Sequence, residues 1–362
     1  MRIGIDGRPL QGQLTGVGRY VLELCRALDA ALPEAEFFLY SQTPVAMPVD
    51  TARWRSRVEP WDWARRLKSA LWLKLRAGML ARCDSLDVYW ACATLLPRLP
   101  KGVQTLSTVY DLNYKVVPQT MSTATLWSHR LFFARDVHSA DKVFAISRGT
   151  ALRLERMHGR RADGVIFPAA NSLFRPPTST AIQEALRSYK VSKPYFLAVG
   201  TLEPRKNLEL LIKVFIALRR EGALTSYCLL LAGGVGWKDT RLRALLEDNP
   251  GAVRALGYVA DQDLPALYAG SAAFVFPSLY EGYGMPALEA RLCGAKVLAA
   301  DIPEIREACG ENGVFVKPDA AGLREGLIRV LAQSDAGAVS TAPSWAEGAA
   351  ILAANLRDLA RH

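Results

Sequence analysis

Short apolar runs of strand length alternate with amphipathic stretches twice along this chain, and that rhythm restricts the fold more than any other feature. The first series is "RIGIDG", "EFFLYS", "VYWAC", "QTLSTVYD", "DKVFAIS" and "GVIFP". The second is "YFLAVG", "YCLLLAGG", "VRALGYV", "AAFVFP", "KVLAAD" and "GVFVK". Runs of this kind, separated by helical segments such as "RYVLELCRALDAAL", predict βα units and parallel sheets. A passage rich in proline, serine and threonine, "NSLFRPPTSTAIQ" at 171–183, separates the two series. The reading is an α/β chain of two doubly wound parallel sheets, with domains at 1–172 and 173–345 and a terminal helix at 346–362. A length of 362 residues, more than one ordinary core accommodates, agrees with two domains.

The start "MRIGIDGRPL" lacks the apolar core of a signal peptide, and no apolar run reaches the length of a membrane span, so the expected location is the cytoplasm. Six cysteines are scattered without a C-x-x-C pair, and only four histidines accompany them. That pattern predicts reduced, mostly buried thiols and no bound metal.

The net charge of +10 is uneven: residues 1–180 hold 25 basic against 15 acidic side chains, whereas 181–362 hold 20 of each. Much of the excess lies at 53–82, "RWRSRVEPWDWARRLKSALWLKLRAGMLAR", which carries nine basic residues, two acidic ones and four tryptophans. Trp72, Leu75 and Met79 recur at helical spacing, with Arg65, Arg66, Lys68 and Arg76 around them. Two readings follow: a basic amphipathic helix on an anionic membrane surface, or a solvated helix that packs its Trp and Leu into the first domain. No nucleic-acid-binding motif accompanies the charge, so nucleic acid is not an expected partner.

Within the second series, "PSLYEGYGMPALEA" (277–290) reads as a strand, a glycine loop and a helix with Pro286 in its first turn, ending at Gly294. This accounts for the glycines and the proline but not for Glu281 and Glu289, which the loop and helix place at the carboxyl end of the strand. Open α/β sheets bind ligands there. In "LAVGTLEPRKN" (197–207), Arg205 and Lys206 sit where a helix begins and oppose its dipole unless an anion is near. "QLTGVGRY" puts Gly16 and Gly18 between the first strand and the first helix, as a plain turn or as a close approach to a ligand. Neither it nor "AGGVGW" completes G-x-G-x-x-G, which disfavours a dinucleotide enzyme. Asp261-Gln262-Asp263 hints at a metal-diphosphate site, but Asp263 before Leu-Pro reads better as a helix N-cap. Without a divalent ion, Arg205 and Lys206 are the charges available to a diphosphate.

Together, "DGRPLQGQLTGVGRY" (6–20), "GTLEPRKN" (200–207), "LLLAGGVGWKD" (229–239) and "LGYVADQDLPALYAGSAAFVFPSLYEGYGMPALEA" (256–290) resemble the retaining glycosyltransferases of family 4, most of all the bacterial mannosyltransferases of cell-surface polysaccharide assembly. The resemblance spans essentially the whole chain. It implies the GT-B architecture, two Rossmann-like domains facing across a cleft, with the terminal helix crossing back onto the first. It implies a nucleotide-sugar donor with GDP or UDP as base, a saccharide or lipid-linked acceptor, and no metal or other cofactor. It implies that Glu289 holds the ribose hydroxyls and Glu281 contacts the donor sugar. Backbone N–H groups around Tyr283, Gly284 and Met285 then hold sugar or phosphate, and Lys206 with Arg205 stabilises the leaving diphosphate. Val259 falls where the family grips the base, and Gly16 and Gly18 where the first domain closes over the diphosphate.

The chain departs from that pattern twice. Where many members carry His-Asp in the acceptor domain, "STVYDLNY" has Tyr110-Asp111; a tyrosine donates a hydrogen bond but does not become a cation near neutral pH. Where some relatives place an arginine six residues before the lysine, this chain has Gly200, which passes that task to Arg205. The leading expectation is a retaining, metal-independent transferase moving a hexose, such as mannose from GDP-mannose, at the cytoplasmic face of the membrane. The rivals are a catalytically weakened sugar-nucleotide-binding partner of another transferase and a phosphorylase or epimerase on the same fold.

Overall fold

The computed structural model describes residues 1–192, 194–201, 203–234, 240–333 and 342–361. Leu202 of the 200–207 motif and residues 235–239 of the 229–239 motif therefore lie outside the described residues. Two compact units emerge: Met1–Tyr114, Met121–Ala169 and Pro343–His362 form the first, and Lys115–Thr120 with Ala170–Ala342 form the second.

The first unit is built on a seven-stranded sheet: β1 (Arg2–Asp6), β2 (Glu36–Ser41), β3 (Trp54–Val58), β4 (Val88–Ala91), β5 (Gln104–Val109), β6 (Lys142–Ala145) and β7 (Gly164–Val165). All pairings are parallel, in the order β3-β2-β1-β4-β5-β6-β7. The central strands are buried on both faces, as parallel strands covered by helices must be. The helix Gly16–Ala31 presents Val21, Leu24, Cys25 and Leu28 to the core at helical spacing. Trp345–Leu359, the last helix, packs against it, with Tyr20 and Trp345 edge to face at 5.6 Å. A capping box of Ser344 and Glu347 starts that helix. Gly348 sits where a Cβ would come within 3.1 Å of Ile166 and 3.3 Å of Leu24.

Residues 53–82 do not form one amphipathic helix. Their start is strand β3, Asp62–Arg65 is a single turn, and the helical stretch 69–81 contains a π turn at Leu73–Ala77. Each π turn closes one residue later than an α turn, so a count at 3.6 residues per turn loses phase. Trp72 is accordingly buried, while Leu75 and Met79 are exposed. The Trp72 indole donates to Glu59 Oε2 at 2.9 Å, and Arg76 pairs with Glu59 Oε1 at 2.9 Å. Burial pushes the Glu59 carboxyl up, but bonds from Arg76 and Trp72 more than offset this and hold it below its ordinary value.

The second unit repeats the design with six parallel strands: β8 (Tyr195–Val199), β9 (Cys228–Ala232), β10 (Val253–Gly257), β11 (Ala273–Phe276), β12 (Val297–Ala300) and β13 (Val314–Val316), ordered β10-β9-β8-β11-β12-β13. Its core is Phe196, Leu229, Leu231 and Leu298 from the sheet against Leu211, Phe215 and Leu218 of the helix Leu208–Arg220 and Leu327 of Ala320–Arg329. Burying a side chain of this size contributes about 1.5–3 kcal/mol. In both sheets the strand order reverses beside the first strand, at β1/β4 and β8/β11, and the carboxyl ends there are where a doubly wound sheet receives ligands.

Candidate functional site

At the carboxyl edge of the second sheet, β8 ends at Gly200, which adopts φ +140° and turns the chain toward a single 3₁₀ turn, Pro204–Lys206. The turn aims Arg205 and Lys206 at the loop after β11, where Leu279 N–H bonds the Arg205 carbonyl at 2.8 Å. Lys206 Nζ lies 2.8 Å from Glu281 Oε1, and an Arg205 guanidinium nitrogen lies 2.6 Å from Oε2. The same guanidinium donates to the Tyr280 carbonyl at 2.9 Å and to Glu203 at 3.0 Å. Lys206 also stands over the Phe276 ring, 5.0 Å from its centroid. Both Lys206 and Glu281 are only 8% exposed. Burial pushes the Glu281 carboxyl up, but Lys206 and then Arg205 outweigh it and hold the group below its ordinary value. The anion that two basic residues before a helix require is thus present in the chain itself.

The loop reaches its helix through Gly284, whose φ is +106° and where a Cβ would lie 3.3 Å from the Phe276 ring. The helix Met285–Leu292 begins with no side-chain cap and with Pro286 in its first turn. It closes in a Schellman motif: Gly294 has φ +82°, Ala295 N–H bonds the Ala290 carbonyl at 3.0 Å, and Gly294 N–H bonds that of Arg291. Glu289, partly exposed on this helix, accepts a hydrogen bond from Tyr268 Oη at 3.2 Å. Tyr283 and Val259 are both 4% exposed, Val259 lying just past the end of β10. Asp263 occupies the N-cap position of the helix Leu264–Ala269 but makes no capping bond. Its backbone is in the α region (φ −94°, ψ −20°) rather than the extended one a capping residue adopts, and its carboxylate accepts from Tyr189 Oη at 2.8 Å instead.

In the first unit, Gly16 and Gly18 are not in a turn between strand and helix. Both belong to the first helical turn, N-capped by Thr15, whose hydroxyl accepts from Gly18 N–H at 3.4 Å. A Cβ on Gly18 would stand 2.4 Å from the Pro9 carbonyl oxygen, so packing alone requires that glycine, whereas Gly16 faces open space. Asp111 accepts from the Asn113 N–H at 3.0 Å and from its amide nitrogen at 2.7 Å. The Tyr110 ring meets Tyr20 edge to face at 5.3 Å, and its hydroxyl is buried without a hydrogen-bond partner. Burial, more than the neighbouring groups, holds that phenol protonated far above its ordinary range.

Residues 193–333 match the family model "Glycosyl transferases group 1". The chain is 28% identical to O-antigen chain mannosyltransferase B of Escherichia coli, over 96% of this chain and 95% of that protein. The second unit carries a glycosyl transferase group 1 domain. It is also 33% identical over 201 residues to the serotype-specific mannosyltransferase WbdA of Escherichia coli, covering 53% of this enzyme but 24% of that longer protein. Among solved structures it resembles WaaG, a glycosyltransferase involved in lipopolysaccharide biosynthesis, with a TM-score of 0.67 and 15% identity over 100% of this chain and 98% of that one. Anabaena HepE in complex with UDP and glucose superposes with a TM-score of 0.64 at 16% identity, over 99% and 97% of the two chains. Identities this low establish the fold, which is GT-B.

Of the residues singled out in the sequence of this glycosyltransferase, Arg205, Lys206 and Glu281 form one ion cluster. Glu289, Tyr283, Gly284, Met285 and Val259 lie on the loops and helices of the same unit, while Gly16, Gly18, Tyr110 and Asp111 belong to the first unit. Sequence reasoning missed Tyr268, Glu203 and Phe276, which touch Glu289, Arg205 and Lys206. Only Glu203, two residues from Arg205, carried a local signal. It also missed the Asp6–Arg8 pair at the end of β1, joined at 2.6 Å with Asp6 fully buried.

The orphan hydroxyl of Tyr110 makes a direct prediction. Removing a buried donor that has no partner is expected to stabilise the first unit, so Tyr110→Phe should raise the free energy of unfolding by about 1 kcal/mol, read as a higher urea midpoint. A lower midpoint would show that the hydroxyl is bonded in solution.

Proposed function

We propose that this glycosyltransferase moves a hexose with retention, mannose from GDP-mannose, onto a lipid-linked or saccharide acceptor during assembly of a cell-surface polysaccharide. The observation that carries the reading is the buried cluster of Arg205, Lys206 and Glu281 at the carboxyl edge of β8 and β11. The names of the O-antigen mannosyltransferase relatives support mannose as the sugar.

In the proposed reaction the bond from the anomeric carbon to the diphosphate breaks on the face where the acceptor oxygen attacks. The acceptor proton passes to the departing phosphate oxygen, so no protein nucleophile is required. Lys206 and Arg205 stabilise the negative charge that develops on that oxygen, as fixed charges that need no reorganisation and no metal. Glu281 accepts hydrogen bonds from the donor sugar's hydroxyls. Glu289, oriented by Tyr268, takes the ribose diol, since two carboxylate oxygens match two O–H donors. The first helical turn at Met285, uncapped by any side chain, offers backbone N–H groups to phosphate or sugar.

A second reading, a weakened sugar-nucleotide-binding partner of another transferase, draws on the inward-facing Tyr110 hydroxyl. Location belongs to the same proposal. No helix of the described residues is long and apolar enough to cross a membrane. We place the protein at the cytoplasmic face of the membrane as a peripheral enzyme, engaged through residues 53–82.

The test is a panel of GDP-, UDP- and ADP-sugars, each with magnesium and with EDTA, read by thermal shift and then by transfer to saccharide acceptors. A ligand at 100 times its Kd stabilises the fold it binds by about 2.7 kcal/mol. GDP-mannose is expected to give the largest shift, equal in magnesium and in EDTA, and to be consumed when an acceptor is added. A UDP-sugar that shifts alone would overturn the donor assignment. Binding without consumption by any acceptor would overturn the transferase reading in favour of the binding partner.

A further inference from the structure

The tryptophans and leucines of 53–82 leave a surface that the donor site does not explain. Trp61 and Trp63 are 59% and 58% exposed. Leu71, Leu75 and Met79 follow at intervals of four along the helical stretch 69–81, each between 43% and 50% exposed. The π turn at Leu73–Ala77 keeps this line facing outward while Trp72, Leu73, Ala77 and Ala81 are buried beneath it. The helix Thr123–Ser139 lies alongside, tied on by Lys74, which pairs with Asp136 and stands 4.9 Å from the Phe132 ring centroid. That helix adds Trp127 and Leu131, again four apart, at 55% and 64% exposure. Arg76 joins the first pieces, 5.7 Å from the Trp63 ring centroid and 3.4 Å from the Met79 sulfur.

The charge on this face is less than the sequence suggests. Arg57, Arg65, Lys74 and Arg76 are committed to Asp84, Asp62, Asp136 and Glu59. Arg66, Lys68 and Arg82 remain exposed, with Arg130 and Arg135 on the neighbouring helix. Within 61–82 and 123–139 the sole exposed carboxylate is Asp62, already paired with Arg65. Large apolar side chains ringed by cations and almost free of anions match the boundary between lipid headgroups and acyl chains, where Trp is favoured and basic side chains meet phosphate.

We infer that this face of the first unit docks on a bilayer by inserting Trp61, Trp63, Leu75, Met79, Trp127 and Leu131 into that boundary, with charge in a secondary role. The inference rests on the peripheral location proposed above and names the surface and the force responsible. It also sets the acceptor's environment: an enzyme held this way meets substrates that are themselves anchored in the leaflet.

Vesicle flotation of the full chain tests it. The vesicles are phosphatidylcholine alone, or phosphatidylcholine with about one-third phosphatidylglycerol, at low and high salt. Binding is expected to both, differing by less than about tenfold and surviving high salt in part. A triple variant, Trp63→Ser with Leu75→Ser and Met79→Ser, alters only exposed side chains and is expected to lower partitioning at least about tenfold. Arg66→Gln with Lys68→Gln is expected to lower it by about threefold. No flotation of the wild type would overturn both this inference and the peripheral location while leaving sugar transfer untouched. Wild-type flotation with the triple variant unaffected would overturn the face alone. Flotation confined to anionic vesicles and abolished by the two charge substitutions would replace insertion with electrostatics. A dimer in sedimentation that the triple variant dissociates would assign the face to a second copy instead.

Discussion

Changing Lys206 to methionine is expected to lower kcat by about 10²–10³-fold while KM for the donor changes by less than about tenfold. Methionine keeps an unbranched stem of similar length, so packing beside Gly200, where a Cβ would lie 3.4 Å from Lys206 Cε, survives and charge is what is lost. The cation it removes is held between the Glu281 carboxylate and the Phe276 ring at 8% exposure, so it has little freedom to lose when a substrate arrives. A charge fixed in advance in a site that excludes water acts on negative charge as it develops, which is why the deficit is expected in kcat. Arg205 still pairs with Glu281 in the variant, so the loop after β11 keeps its anchor and the fold persists. A variant with unchanged kcat and a raised KM would assign Lys206 to ground-state binding and remove it from the chemical step.

How far the site could be read beforehand depended on how local its signals were. The βα rhythm gave both sheets, because parallel strands carry their burial in consecutive apolar residues. Arg205-Lys206 at a strand end and Glu281 after "AFVF" were visible for the same reason: loops at the carboxyl edge of a known strand have a known place. Strand β3 was missed because Trp54–Val58, WRSRV, has polar side chains at its three central positions, stands at a sheet edge and lies in a basic run. The stretch 69–81 was misread because period counting assumes one helical pitch, and the π turn breaks it. Gly18 shows another limit: a glycine kept for a ligand and one kept for the Pro9 carbonyl look identical in sequence. Tyr268 was invisible as the partner of Glu289, since it lies 21 residues away on a helix whose register against the next is set only by packing.

The largest stability effect is expected from Gly233→Ala. Three neighbouring strands, β8, β9 and β10, each end at a glycine with positive φ: Gly200 at +140°, Gly233 at +143° and Gly257 at +73°. They are laced together, Gly200 N–H bonding the Ala232 carbonyl at 2.9 Å and Gly233 N–H bonding that of Gly257 at 2.7 Å. A Cβ on Gly233 would stand 2.1 Å from the Gly200 carbonyl oxygen, and backbone cannot swing aside as a side-chain tip does. The unfavourable φ costs about 1–3 kcal/mol and the overlap about as much again, a total of about 2–6 kcal/mol. In a domain of this size each kcal/mol lowers Tm by roughly 2–4 °C, so a fall on the order of 10 °C is expected for the second unit by calorimetry. Gly222→Ala is the control, since Gly222 also has positive φ, +91°, but faces open space, and should cost only about 1–2 kcal/mol. The difference between the two variants isolates the contact with Gly200. Equal losses would mean that the strand ends can part without cost. The consequence for function follows from position, because Gly200 opens the turn that carries Arg205 and Lys206, and Gly257 leads to Val259. Moving β9 by even a few tenths of an ångström against Gly200 displaces the cluster that faces Glu281. Donor binding by Gly233→Ala at a temperature where it remains folded is therefore expected to weaken, while Gly222→Ala binds as the unsubstituted enzyme does.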